Sequence, residues 1–207
     1  MTGQRTEPPN RLLRRLARSL ASWLTFQQIA LRSPMYSEYF MYTPIFEIAA
    51  ARGWKVSPQS HFKARVEIKD SREWKHRYVD FVFYHASKKL AGDVAAVEIS
   101  YINEDSRRNK IRCDICKLSA FKSRHFSEVK HSRMNRYILI AAKEDCLTAY
   151  CNKAKLNQGT TVLEDGEDAK TLGFIYRASN NLPSSWCVLV LYVPERVPRR
   201  TTSRRKA

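Results

Sequence analysis

The apolar residues of this chain change their spacing at Trp54, and that change limits the possible folds more than any other feature of the sequence. Before it, they recur at helical spacing from about 11 to 31 and again up to Arg52, with Gly53 as the predicted helix end. After it, residues 56–68, 78–84 and 94–102 are rich in β-branched and aromatic side chains, which predicts strands. A chain that changes period in this way is expected to pack helices against a sheet.

The second half of the chain alternates between the two periods. Helical spacing returns over 110–122 and 143–156, and apolar strands are expected over 137–142, 172–177 and 187–193. The order helix, three strands, helix, strand predicts a mixed α/β domain with additions at both ends. With 207 residues, we expect a basic helical extension over 1–35, one domain over 36–195 and a basic disordered tail over 196–207.

The net charge of +17 indicates a polyanionic partner, because self-repulsion makes such an excess costly without one. Ten of these charges lie in residues 1–18 and 196–207, and six of the remaining seven lie in residues 104–136. A basic segment inside a folded domain is a stronger sign of an anionic ligand than basic tails are. The predicted nucleic-acid contacts in this segment are Arg107, Arg108, Lys110, Arg112, Lys122 and Arg124.

A membrane span is not expected, because the longest apolar run, Trp186 to Val193, is far shorter than the roughly 20 residues that a spanning helix needs. The stretch Arg11–Leu24 is amphipathic and rich in arginine, so a transit peptide or a membrane-surface helix is an alternative there. A helix that turns its leucines toward the protein is favoured. Five cysteines without a secretion signal predict reduced thiols and a cytoplasmic location.

Acidic residues interrupt two of the predicted strands. Asp80 lies within Tyr78–Phe83, and Glu98 lies within Ala95–Ser100. Simple alternation would place each acid on a solvent-exposed face, whereas burial of a carboxylate costs several kcal/mol unless it is paired or bound to a cation. Two carboxylates on neighbouring strands favour the second interpretation and predict a Mg²⁺ site, since Mg²⁺ needs few protein ligands.

Together with the order of elements, Asp80 and the run Glu98-Ile99-Ser100 resemble the PD-(D/E)XK nuclease superfamily over about residues 36–142. The resemblance implies a restriction-endonuclease-like αβββαβ core with a mixed sheet. It also implies that Asp80, Glu98 and the carbonyl group of Ile99 bind Mg²⁺, with Mn²⁺ as an alternative. An acid on the first helix often joins the metal site in this superfamily, and Glu47 occupies that position, with Glu38 as a second choice.

The chain departs from the superfamily pattern at Ser100, where a lysine is usual. The superfamily tolerates migration of that lysine to the following helix, and Lys117 or Lys110 would then replace it. The alternative is a surface pair of Asp114 with Lys117.

The resemblance implies a metal-dependent DNA endonuclease that hydrolyses phosphodiester bonds. The alternative is a catalytically inactive nuclease fold that binds nucleic acid as a subunit of a larger complex. Whether the chain forms a homodimer or joins such a complex is left open. Two cysteine pairs, Cys113 with Cys116 and Cys146 with Cys151, have a spacing that suggests zinc, but both lie on predicted helices and are expected to be buried thiols.

Overall fold

The computed structural model describes residues 9–30, 38–68, 71–85, 93–106, 110–126, 133–154, 160–162, 168–177 and 186–193. The sequence predicts disorder over residues 1–10, which is wrong at Pro9 and Asn10 because they begin a helix. Residues 1–8 lie outside the described ranges, as do Arg107, Arg108 and the tail 196–207. The helices are α1 (Pro9–Ile29), α2 (Tyr42–Ala50), α3 (Lys110–Ala120) and α4 (Glu144–Ala154), with short 3-10 helices at Glu38–Met41 and Ser123–His125. The strands are β1 (Lys55–Ile68), β2 (Ser71–Tyr84), β3 (Asp93–Tyr101), β4 (Arg133–Lys143), β5 (Thr160–Val162), β6 (Asp168–Arg177) and β7 (Trp186–Tyr192).

The predicted α/β class is confirmed, and the order α2, β1, β2, β3, α3, β4 reproduces the predicted sequence of elements. Strand β2 begins at Ser71 rather than Tyr78, and β5 was not expected at all. Both differences have one cause. Backbone pairing with a neighbouring strand maintains these segments, so they need no alternation of apolar residues to be extended.

Seven strands form one mixed sheet in the order β1-β2-β3-β4-β7-β6-β5. Strands β3 and β4 are parallel and are joined through α3, and the other neighbouring strands are antiparallel. A parallel connection needs a crossover, which a helix of this length provides. The crossover places α3 over the sheet face on which β3 carries its acid.

Each face of the sheet has its own hydrophobic core. Helices α3 and α4 cover one face, and α1 and α2 cover the other. The leucines of α1 are buried against the sheet, as the amphipathic pattern predicted. Helix α1 lies within the segment 1–35, and it shares its core with α2 and the central strands.

Helix α2 ends as its sequence predicts. Gly53 has φ +75°, a left-handed conformation that suits glycine, and its amide donates to the carbonyl of Ala50. The amide of Trp54 donates to the carbonyl of Ala49, so the two bonds together form a Schellman motif. This turn sends the chain directly into β1. None of the helices in the described ranges is long and apolar enough to cross a membrane.

Candidate active site

Strands β1 and β2 are distorted at one point, where Gln59 faces Asp80. Gln59 has φ +47°, and the register pairs the residues on either side of it but not Gln59 with Asp80. The alternation of β2 also breaks here, because Val79 and Val82 both belong to the core under α3 while Phe81 belongs to the core under α1. The alternation of side chains along β2 is therefore interrupted at Asp80.

The carboxylate of Asp80 is held by two donors. The hydroxyl of Tyr42 donates to Oδ1 at 2.6 Å, and the amide of Ile99 donates to Oδ2 at 2.8 Å. Among the described residues, β2 pairs with β3 only over Phe81–Phe83, so Asp80 lies where the two strands separate. The carboxylate of Asp80 thus accepts the hydrogen bond of the Ile99 amide in place of a backbone carbonyl, and this bond holds Asp80 beside β3.

Glu98 is the most deeply buried acid in the described part of the chain, with 1% of its surface exposed. Its Oε2 forms an ion pair with Nζ of Lys117, while its Oε1 is buried without a hydrogen-bond partner. Burial and the negative charge of Asp80 raise the pKa of Glu98 to about 9, although Lys117 opposes the shift. The two acids that interrupt the strands are therefore electrostatic neighbours, and Glu98 has a free acceptor atom.

Lys117 reaches Glu98 from helix α3, which places the migrated lysine of the sequence prediction at the predicted acid. Burial by itself lowers the pKa of Lys117, but the nearby acids Glu98, Asp114 and Asp80 together outweigh it, so the pKa is raised above its ordinary value. Asp114, one helical turn earlier, lies 3.7 Å from the same ammonium group. The pair of Asp114 and Lys117 considered from the sequence is thus partly buried and belongs to a cluster with Glu98.

Ser100, the residue at which the sequence resemblance would lead us to expect a lysine, holds Asp114. Its hydroxyl donates to Oδ2 of Asp114 at 2.6 Å, and Ser100 is fully buried. Burial raises the pKa of Asp114 despite this hydrogen bond and the nearby Lys117. Ser100 thus positions Asp114, and Asp114 lies beside the ammonium group of Lys117. The sequence pattern did not suggest this role for Ser100.

Lys110 lies at the end of β3 and contacts a different acid. Its Nζ lies 2.5 Å from Oε1 of Glu38 and donates to the carbonyl of Tyr101 at 2.9 Å. The amide of Tyr101 donates to the same Glu38 oxygen at 3.3 Å. Of the two lysine candidates, Lys117 contacts the buried acid and Lys110 joins α3 to the 3-10 helix before α2.

Glu47, which the resemblance puts at the metal site, does not lie beside the two acids in the described contacts. Glu47 is exposed, and the described contacts include none between it and Asp80 or Glu98. Helix α2 turns Ile45 and Ala49 inward, so Glu47 points outward. Tyr42 shares the inward stripe at i, i+3 and i+7, and this spacing is the signal that could have identified it.

Among the described residues of the basic segment 104–136, not every positive charge lies on the surface. Arg136 is buried and donates to the carbonyls of Phe121 and Met134, so its charge belongs to the core. Lys122 is partly buried and Arg124 is exposed beside it at the second 3-10 helix, where both remain candidate phosphate contacts. Arg112 lies on α3, and Arg107 and Arg108 lie outside the described residues.

The donor set suits a cation that needs few protein ligands. In the described ranges, no group of three or more His, Cys, Asp or Glu side chains is placed to hold a metal. The four helix cysteines form no disulfide, but the expectation that they are buried is wrong, since Cys113 is exposed and Cys116, Cys146 and Cys151 are only partly buried. Mg²⁺ is commonly bound by one or two carboxylates, with waters and substrate phosphates completing its coordination. Asp80 and the unpartnered Oε1 of Glu98 meet that requirement, and the Ile99 carbonyl stays a predicted ligand.

No family model, curated protein or solved structure matches this chain.

Proposed function

We propose that this chain is a Mg²⁺-dependent DNA endonuclease with a restriction-endonuclease-like fold. The observation that carries the proposal is the buried Glu98, which has Asp80 as its neighbour, one oxygen without a partner and Lys117 on the other. Burial of such an acid is costly unless a positive charge offsets it. The order of elements from α2 to β4 supports the fold, and the net charge of +17 supports a polyanionic substrate.

Each residue of the cluster has a role in this proposal. Asp80 and Glu98 hold the metal, which when bound lowers the pKa of a water and offsets charge on the scissile phosphate. Tyr42 and the amide of Ile99 keep Asp80 in place. Lys117 stabilises the negative charge that develops on the phosphate, while Ser100 and Asp114 hold the lysine side chain.

One observation favours the inactive alternative. Lys117 is already paired with Glu98 within the protein, so this buried acid has a partner without a metal ion. A chain that has lost activity could keep this pair as part of its core. The two functions differ in turnover, because an inactive nucleic-acid-binding subunit binds DNA but does not cleave it with either Mg²⁺ or Mn²⁺.

Cleavage of supercoiled plasmid with Mg²⁺, Mn²⁺ or EDTA tests the proposal. We expect Mg²⁺-dependent nicking that Asp80→Asn and Glu98→Gln each reduce at least 100-fold, because both substitutions keep the shape and remove the charge. Glu47→Gln removes an exposed acid from the same molecule and should leave the rate unchanged. Wild-type rates in both site variants would exclude the proposed site, and absence of nicking in the wild-type chain would favour the binding subunit.

The role of Lys117 is tested by moving the lysine from residue 117 to residue 100. Lys117→Ser should remove nicking, and adding Ser100→Lys to that variant should restore part of it, because residue 100 lies on the same face of β3 as Glu98. DNA binding and thermal unfolding of both variants show whether they remain folded. Equal, undiminished nicking by Lys117→Ser would exclude a catalytic role for this side chain.

A further inference from the structure

The paired segments 60–68 and 71–79 form a two-stranded β-ribbon that continues beyond the seven-stranded sheet. Every position from Ser60 to Ile68 pairs with one from Ser71 to Val79. Strand β3 pairs with β2 only over Phe81–Phe83. The ribbon therefore begins at the distortion formed by Gln59 and Asp80, next to the candidate active site.

One side of the ribbon is fixed to the domain at its base. Val79 and Phe62 are buried in the core under α3, and the Phe62 ring lies 5.0 Å from that of Phe121. The register positions that continue this side are the pairs Ala64–Lys75, Val66–Glu73 and Ile68–Ser71, which are mainly apolar on β1. Because alternate positions of a pleated strand share a side, these positions are in register with Phe62 and Val79.

The alternate set of positions has a different composition. At the base, the rings of His61 and Tyr78 lie 5.1 Å apart, and Tyr78 is 56% exposed although it is a large aromatic residue. The pairs that continue this set are Lys63–His76, Arg65–Trp74 and Glu67–Arg72. Cationic and aromatic residues thus occupy the positions that alternate with the anchored side.

We infer that this ribbon binds duplex DNA through the positions that alternate with its anchored side. The inference rests on the proposed function and adds the form of the substrate and the surface that holds it. The major groove, about 12 Å wide, admits a two-stranded ribbon, and nine residues of strand extend about 30 Å along it. Lys63 and Arg65 supply charges for phosphates, and the ribbon's origin at Asp80 brings the held duplex to the carboxylates.

Two matched double variants test the surface in the full chain, with EDTA present so that cleavage plays no part. Lys63→Ala with Arg65→Ala removes two charges from the alternate set, and Lys75→Ala with Arg77→Ala removes two from the anchored set. Fluorescence anisotropy with a labelled 30-base-pair duplex, repeated over a range of salt concentrations, gives the affinity and its salt dependence. Thermal unfolding of both variants shows that the fold is kept.

We expect the first variant to bind roughly tenfold more weakly and to lower the slope of log affinity against log salt by about 2, as loss of two phosphate contacts requires. The second variant should change affinity less than about twofold. Equal losses in both variants, or none in either, would overturn the inference. The inference would also be overturned if the first variant lost more affinity for single-stranded DNA or RNA than for the duplex. The proposed nuclease function is tested separately from the ribbon, because the effect of Glu98→Gln on nicking is measured in a chain whose ribbon is unchanged.

Discussion

Glu98 combines two features that are both energetically unfavourable for a carboxylate. Its side chain is almost completely buried, and its neighbour Asp80 carries the same charge. Only Lys117 offsets these costs among the described contacts of Glu98, and it reaches one of the two carboxylate oxygens. A carboxyl group in this position is costly for stability, which is typical of residues that are kept for binding or chemistry.

The stability of the metal-free protein should depend on pH through Glu98. Because its pKa is about 9 in the folded state against 4.5 ordinarily, the folded protein holds a proton that the unfolded chain has released. The free energy of unfolding should therefore fall as the pH rises from about 5 to about 9, by at most ~1.4 kcal/mol per pH unit. Glu98→Gln cannot titrate and should show a flatter profile. Urea unfolding in EDTA measures both, and parallel profiles would contradict the assignment.

At the scale of elements, the distortion of the β1–β2 hairpin determines where Asp80 points. A regular hairpin would put residues 79, 81 and 83 on one side, yet Val79 lies in one core and Phe81 and Phe83 lie in the other. The residue opposite Asp80 carries the positive φ, which costs a non-glycine residue about 1–2 kcal/mol. Strain of this kind is common beside functional sites, where the surrounding packing maintains it.

Substitutions at Gln59 should separate strain from function. Gln59→Gly should keep stability or raise it by up to about 1 kcal/mol, because glycine accepts this φ. Gln59→Val should lower stability by about 1–2 kcal/mol or more and reduce nicking, since a β-branched residue resists positive φ. Chemical denaturation and the plasmid assay measure these effects. Higher stability of the valine variant would contradict the strained geometry.

Helix α1 should behave as part of the domain. Leu20→Ala removes a fully buried side chain and should cost about 2–5 kcal/mol, whereas Ser22→Ala changes an exposed position of the same helix and should alter stability by less than about 0.5 kcal/mol. Thermal or urea unfolding of the two variants gives the comparison. Similar, small effects in both would show that the leucine face of α1 does not stabilise the domain.

For the whole molecule, the charge of +17 divides into parts with different roles. Arg136 supports the core, Lys110 and Lys117 are paired with acids, and exposed residues such as Arg124 face solvent. The position of a charge in the fold therefore decides whether it can reach a phosphate. The total charge still governs long-range attraction to a polyanion.

Deletion of residues 196–207 should separate these contributions. It removes six positive charges, so affinity for DNA should fall equally for different sequences and depend less steeply on salt. The nicking rate at saturating DNA should not change, because the carboxylates and Lys117 are retained. Salt-dependent binding to two unrelated duplexes and plasmid nicking measure these effects. A lower maximal rate would show that the tail also acts at the site.

Much of the local structure could be predicted from the sequence. The change of apolar spacing at Trp54, the helix end at Gly53 and the two misplaced acids are each features of a few neighbouring residues. Helical and strand periods depend on the same local geometry, so they are legible without the tertiary fold. The spacing on α3 left open whether Lys117, Lys110 or neither would reach the acid, and the contact of Lys117 with Glu98 depends on the tertiary fold.

What the sequence determined by itself is the α/β class, the order of elements and the pair Asp80 and Glu98, because periodicity and misplaced polar residues are local signals. The placement of Tyr42 at the Asp80 carboxylate and of Glu38 at the end of β3 depends on the tertiary fold. So does the exposed position of Glu47. Helix rotation and strand separation depend on packing between distant segments. The same packing buries Arg136 and determines where the ribbon extends beyond the sheet. Contacts between distant segments, rather than neighbours in the chain, set the exposure of each charge.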